Sequence, residues 1–447
     1  MTQKKMSVTD INWDVVVIGG GLSGLTAACI LARSGKKVLV LERSKHLGGR
    51  AGTTEKEGCF LNLGPHALYK RGAGRKVLNE LGISHPGGTP ALKGTLVDRG
   101  RTFRLPLTPL SLLSTSYFTW KEKKEMIRLI LLLPKIAAKV AENENLQSWA
   151  EREISSPRVR DYVYCLCRLS TYCSNPELVT ARIVLEQLKL SMHGVLYVNG
   201  GWQQIVDGLA KRAMQSGATI LNQHQVTSIN GAYPEITVGV LNDKVITTKH
   251  VLSTISPAHT YELLPAKEKE ALTVLNQFKP VFGASLDIVF NQLPSPRISF
   301  ALCIDQSLYF SNHSSGAKLG RHKHQMVVHV YKYLDVNEEY EPVKIKKELE
   351  AFLDLLQPGW QKEVITSRFL PRMLVSHALP DNNTKERLNE LQVLDRVLPG
   401  LYVAGDWLSD KYMLADAALS SAKQAALSII KDSTRRGGVV YRHSGTL

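Results

Sequence analysis

Residues 14–42 read DVVVIGGGLSGLTAACILARSGKKVLVLE, and this stretch decides the fold. Asp14 to Ile18 is a β-branched run, the pattern of a strand buried on both faces. Leu22 to Ser34, rich in alanine and leucine and stopped by Gly35, predicts a helix with a glycine cap. Val38 to Glu42 predicts a second strand, which makes a βαβ unit with parallel strands and a right-handed crossover. Gly19, Gly21 and Gly24 stand between strand and helix in G-x-G-x-x-G spacing. The first glycine permits a tight turn, the second lets the backbone approach a pyrophosphate, and the third allows close strand–helix packing. The first amides of the helix, those of Leu22 and Ser23 among them, then hold the phosphates. Glu42, followed by Arg43, lies 23 residues past Gly19, where an acid accepts the hydroxyls of a ribose. An acid there disfavours a 2′-phosphate, so a dinucleotide without one is expected.

The rest of the chain frames this unit. Its 447 residues exceed one simple core, and 44% hydrophobic with 21% charged residues is globular composition, not that of a disordered chain. The formal charge of +16 favours an anionic partner. No nucleic-acid-binding motif accompanies it. The six cysteines include C-x-C-x5-C at 165, 167 and 173, which matches no common zinc pattern, so no metal site is expected. MTQKKMSVTD lacks the apolar stretch of a signal peptide. Leu105 to Trp120 is too short and too interrupted to cross a membrane. A cytoplasmic protein is expected.

From about 76 to 194 the pattern is mostly helical, with Pro134 expected to kink or break the helix of KKEMIRLILLLPKIAAKVAE. GTLVDRGRTFRLP predicts a hairpin turning on 98–100, and 281–333 carries alternating stretches of an antiparallel sheet. LYVAGD predicts a last strand, followed by an alanine-rich helix through 430. The basic tail 431–447 is expected to be loose.

Gly48, Gly49, Arg50 and Ala51 follow the acid, and this GGRA stretch resembles the extended fingerprint of the FAD-containing amine oxidase and phytoene desaturase superfamily. The resemblance continues through CFLNLGPHALY (59–69), VNGGWQQIVDGLA (198–210), QVTSI (225–229) and LYVAGDWLSDKYMLADAALSSAKQAAL (401–427). It implies FAD as cofactor. Gly49 and Arg50 would meet the pyrophosphate or flavin, and Val226 the adenine. Gly405 and Asp406 would meet ribityl or pyrophosphate oxygens, and Met413 and Leu414 would open a helix whose N-terminus faces the flavin pyrimidine. His66 and Tyr412 are the side chains it would bring near the reacting ring.

The implied fold is α/β: a discontinuous Rossmann-type FAD-binding domain (12–75, 195–265 and 395–430) with an interleaved α+β substrate domain (76–194 and 266–394), amine-oxidase/GDI-like. The implied activity is removal of hydride from a hydrophobic small molecule, closest in style to phytoene-dehydrogenase-related oxidoreductases. A protoporphyrinogen-type oxidase, suggested by the hairpin, stays open. So do an amine oxidase, an isomerase working on reduced flavin, and a non-catalytic lipid escort on the same fold. Against the amine oxidase, VFGASLDIVF (281–290) holds no lysine where amine oxidases place one. The basic, apolar segment 121–139, with the net charge, adds a peripheral contact with the inner membrane surface. Neither the electron acceptor nor the oligomeric state is fixed by these residues.

Overall fold

The computed structural model describes residues 11–440 apart from 92, 243 and 338. Two seven-stranded sheets organise it. In the first, Thr219–Leu221, Val38–Leu41, Trp13–Ile18 and Lys244–Ser253 lie side by side and parallel. Lys244–Ser253 is long enough for two partners on its far edge. Its first half pairs antiparallel with Glu235–Val240, and its end pairs parallel with Leu401–Val403. Val226–Ala232 closes the edge by pairing with Glu235–Val240. Trp13–Ile18 and Val38–Leu41 are apolar at nearly every position because both sheet faces are covered, one by strands 226–240 and the short helices and turns around 264–278 and 391–398, the other by long helices. Helix α1 (Leu22–Arg33), the helix Gln203–Gln215 and the C-terminal helix Leu414–Val440 share one buried cluster against that face. Helix α2 (Ala73–Glu80) packs on the C-terminal helix.

The second sheet runs Val364–Ser376, Val281–Phe290, Met326–Tyr333, Leu308–Asn312, Phe300–Cys303, Thr95–Asp98, Arg101–Arg104. Alternation sorts its side chains onto two faces, both buried in the central strands Val281–Phe290 and Met326–Tyr333. Leu286, Ile288, Val328 and Val330 pack with the helix Pro342–Leu356. Ser285, Asp287, His329 and Tyr331 alternate with them and occupy the opposite face. Beyond this face lie helices α3 (Pro109–Ser114), α4 (Trp120–Lys139), α5 (Leu146–Glu153), α6 (Pro157–Thr171) and α7 (Ala181–Ser191), joined to it by a second buried cluster.

Two local expectations are corrected. Helix α4 runs unbroken through Pro134, because Leu129 and Leu133 before it and Ala137 after it bury into one core. The C-terminal helix continues past 430 to Val440, so 431–440 is not a loose tail, and 441–447 lie outside the described residues.

Candidate functional site

A cavity of about 1360 Å³ runs from the end of the Trp13–Ile18 strand to the inner wall of α4. It exceeds the usual 300–1,000 Å³ of a pocket for one small ligand. At one end it is floored by the glycine turn. Gly19 donates its N–H to the Leu41 carbonyl at 2.8 Å. A Cβ on Gly24 would stand 1.9 Å from the Gly19 carbonyl oxygen, so only glycine lets α1 approach the turn. Gly48 donates to the Gly20 carbonyl at 2.9 Å and so holds the second glycine loop over the first. Helix α1 has no side-chain cap and no acid in its first turn, which leaves its first amides for an anion. A Cβ on Gly49 would meet nothing within 4 Å, and one on Gly21 only the Gly48 carbonyl oxygen at 3.8 Å. Open space beside bare helix amides fits a diphosphate.

Glu42 lines the cavity at the end of its strand. Its Oε2 accepts the Gly20 N–H at 2.7 Å and its Oε1 the Ser44 N–H at 2.8 Å. The carboxylate thus braces both loops and keeps lone pairs for a ribose. Leu22, Ser23, Arg43, Gly49 and Val226 line the same end. Thr254, which the sequence reading missed, lies under the turn and donates its hydroxyl to the Ile18 carbonyl at 2.8 Å.

Midway, Arg50 and Asp406 meet. The guanidinium donates to Oδ2 at 2.7 Å and Oδ1 at 2.8 Å, and to the Val375 carbonyl at 2.7 Å. His377 adds its backbone N–H to Asp406 Oδ2 at 3.0 Å, while its Nδ1 sits 2.8 Å from Oδ1. Burial alone would raise the Asp406 carboxyl. The Arg50 charge and hydrogen bonds outweigh it and hold the carboxyl well below the usual range. Residues 356 apart in sequence are therefore locked across the cavity as a charged pair. His377 left no signal in the sequence, because nothing near it repeats or alternates.

His66 also lines this region. Its Nδ1 lies 3.1 Å from the Gly64 carbonyl and its Nε2 3.1 Å from the Arg50 carbonyl, and Trp202 meets the ring edge-on at 5.0 Å. Burial lowers its pKa to about 4 against those carbonyls, so the imidazole is neutral at pH 7 and its ring position is fixed. Asp416, in the first turn of the C-terminal helix, was not expected either. Its Oδ1 accepts the Gly74 N–H at 2.7 Å, and burial pushes its carboxyl up to about 6. Leu414 lines the cavity beside it. Tyr412 is 38% exposed, Met413 is buried in the core, and Gly405 is bonded to the Ser421 hydroxyl; none of the three is on the cavity wall.

The inner wall is aromatic, with Tyr172, Tyr197, Tyr309 and His313 on it. Behind them Asp287 takes Nδ1 of His329 at 2.7 Å and Arg368 at 2.6 Å. Burial opposes ionisation, but these partners keep the Asp287 carboxyl low, so the strand lacking a lysine carries a neutralised carboxylate instead. All six cysteines are buried and unpaired, and none is on the wall. Among the described residues no cluster of His, Cys, Asp or Glu could hold a metal ion.

The arrangement matches known proteins. Residues 22–286 match the model of the family described as flavin containing amine oxidoreductase. An L-amino-acid oxidase from Bothrops pauloensis is 47% identical over 68 residues, 15% of this chain and 14% of that protein. One from Echis ocellatus is 56% identical over 60 residues, 13% and 12% of the two chains. Each match thus spans about an eighth to a seventh of the relative's length. An oxidoreductase from Methanosarcina mazei superposes with a TM-score of 0.75 at 19% identity, covering 94% of this chain and 100% of that one. Cyclohexylamine oxidase from Brevibacterium oxydans gives 0.68 at 15% identity over 94% and 99%. At such identities the superpositions carry the fold alone.

Proposed function

The chain belongs to the flavin containing amine oxidoreductase family, and from that premise we propose that it is an FAD-dependent oxidoreductase acting on a hydrophobic small molecule. Bound FAD would supply the hydride acceptor. The observation that carries the reading is one continuous cavity with a diphosphate cradle at one end and an apolar, aromatic chamber at the other. The α1 amides and the 48–49 loop would hold phosphates, Glu42 a ribose, and Val226 the adenine. The Arg50–Asp406 pair would fix the middle of the cofactor with charge already balanced, so that binding needs little rearrangement. Leu414 would stand by the flavin at a helix N-terminus, where negative charge is favoured. His66, neutral and so able to donate to one of the two carbonyls that flank it, would position the ring's surroundings. The inner chamber, walled by Leu129, Leu133, Leu166 and the tyrosines, would exclude water from a carbon giving up hydride.

A peripheral contact with a membrane surface, on the cytoplasmic side, belongs to the same proposal. A second reading, oxidation of an amine, has one observation in its favour. Tyr172, Tyr197 and Tyr309 line the chamber, and tyrosine rings can hold a cation. The experiment is anaerobic mixing of the yellow protein with hydrophobic polyenes, a porphyrinogen and amines, following loss of flavin absorbance. Bleaching by a neutral apolar compound is expected. Bleaching by amines alone, with peroxide released in air, would transfer the assignment to amine oxidation. A chain that takes up no flavin would be a lipid escort.

A further inference from the structure

The outer face of α3 and α4 is apolar where a water-facing helix is ordinarily polar. Leu110, Leu113, Trp120, Ile127 and Leu131 are 69, 48, 68, 38 and 73% exposed. Along α4, positions 120, 124, 127, 131 and 135 fall on one side of the helix. Lys121, Lys124, Arg128, Lys135 and Lys139 are interleaved with the apolar residues there and are exposed. The two acids of α4 turn inward. The Ser156 hydroxyl donates to Glu122 at 2.9 Å, and Glu125 accepts the Ser155 and Ser156 amides at 2.6 and 3.2 Å. The two helices form one surface, since Lys123 donates to the Leu113 carbonyl at 2.7 Å and lies 4.8 Å from the Trp120 ring centre. The inner side of the same α4 helix, through Met126, Leu129 and Leu133, walls the cavity, and Ile130 is both on that wall and 40% exposed.

We propose that the α3–α4 face docks on a bilayer containing anionic lipid, with the Ile130 rim of the cavity set against the lipid. Apolar side chains ringed by cations are what an interfacial helix presents to acyl chains and headgroups. Charge selects this occupant over a second copy of the chain, because two such faces would bring their lysines together, whereas anionic headgroups neutralise them. The docking deepens the membrane contact that forms part of the function proposed above, and its test does not depend on what enters the cavity.

The fold supplies its own reporter. Trp120 is the exposed tryptophan, the other five being at most 9% exposed. The FAD-loaded full chain is mixed with phosphatidylcholine vesicles with and without one-quarter phosphatidylglycerol, and sedimentation and acrylamide quenching of tryptophan emission are read. At low salt, at least tenfold tighter binding to the anionic vesicles is expected, with Trp120 shielded from acrylamide on binding. Leu131→Asp, a change at an exposed site, should lower binding at least tenfold with the flavin spectrum unchanged. No binding, equal binding to both vesicles, binding that leaves Trp120 open to quencher, or an unaffected Leu131→Asp variant each overturns the proposal. So does shielding of Trp120 by self-association without vesicles. Loss of the flavin spectrum would be a separate result, counting against the flavoprotein reading and not against docking.

Discussion

Glu42, His66 and Asp416 each do something at the scale of one side chain that can be measured. Glu42 accepts two loop amides and faces the cavity, far along the wall from the aromatic chamber. Glu42→Ala is expected to weaken FAD binding roughly tenfold to a hundredfold, the loss of a charged hydrogen bond costing about 1.5–3 kcal/mol. Turnover at saturating FAD should be nearly unchanged. A titration showing parental FAD affinity would make Glu42 a loop brace only. His66 and Asp416 make a paired prediction with opposite signs. The Asp416 carboxyl is raised to about 6, so the folded state holds that proton more tightly and its stability falls as pH rises from about 4 to 6. His66 is lowered to about 4, so its contribution is complete above the ordinary histidine value and is lost as pH falls toward 4. Each is worth up to about 3 kcal/mol across its window. Denaturant unfolding of the flavin-free protein should show Asp416→Asn gaining on the parent as pH rises from 4 to 6, and His66→Phe gaining as it falls. Parallel profiles for parent and variants would show that neither group titrates as its surroundings require. The glycine turn and Glu42 were legible in the sequence because local geometry demands those residue types. His377, Thr254 and Asp416 were not, since they meet Arg50, Ile18 and Gly74 only after segments hundreds of residues apart come together.

Among the elements, α4 shows where pattern reading stops. Proline lacks the N–H that would bond the Ile130 carbonyl, and that local rule predicted a break. The apolar spacing of Leu129, Leu133 and Ala137 runs on across the proline, and burial of all three in one core decided the matter. The helix therefore stays whole at a cost concentrated at one site. Pro134→Ala is expected to stabilise the protein, by up to about 3 kcal/mol, the propensity difference in a helix interior. A rise in the denaturant midpoint without a change in slope would be the signature, and destabilisation would mean that the proline ring packs better than the hydrogen bond it removes. The N-terminus of α4 is tighter. Thr119 and Glu122 form a reciprocal capping box, and Thr119→Ala should cost about 1 kcal/mol. The hairpin at 95–104 and the strands of 281–333 form where the sequence alternates, and the polar residues of that alternation, Ser285, Asp287 and His329, are buried in the interior and do not face solvent. Which of them are neighbours, including the parallel pairing of Phe300–Cys303 with Thr95–Asp98, no local pattern contains.

At the scale of the whole molecule, the cofactor should act as a structural member. The proposed cradle would draw on Gly19, residues 21–23, the 48–50 loop, Val226, Thr254, Asp406 and Leu414, segments whose common feature is the cavity they line. A ligand that binds the folded chain and not the unfolded one adds RT ln(1 + [L]/Kd), or about 2.7 kcal/mol at a hundredfold excess over Kd. With an unfolding entropy of roughly 2.1 cal/mol/K per residue, a chain of this length should gain ~3 °C in Tm. The protein should purify yellow, and stripping its FAD should lower Tm by that order, with recovery on adding FAD back. The attachment should be non-covalent. No cysteine lines the cavity, and His377, which touches Asp406, has its Nδ1 turned to that carboxylate. Acid precipitation should therefore leave all the flavin in the supernatant. Flavin retained on the precipitate would reveal a bond that this wall does not prepare. A colourless chain whose Tm ignores FAD would mean that the cradle at α1 serves some other anion.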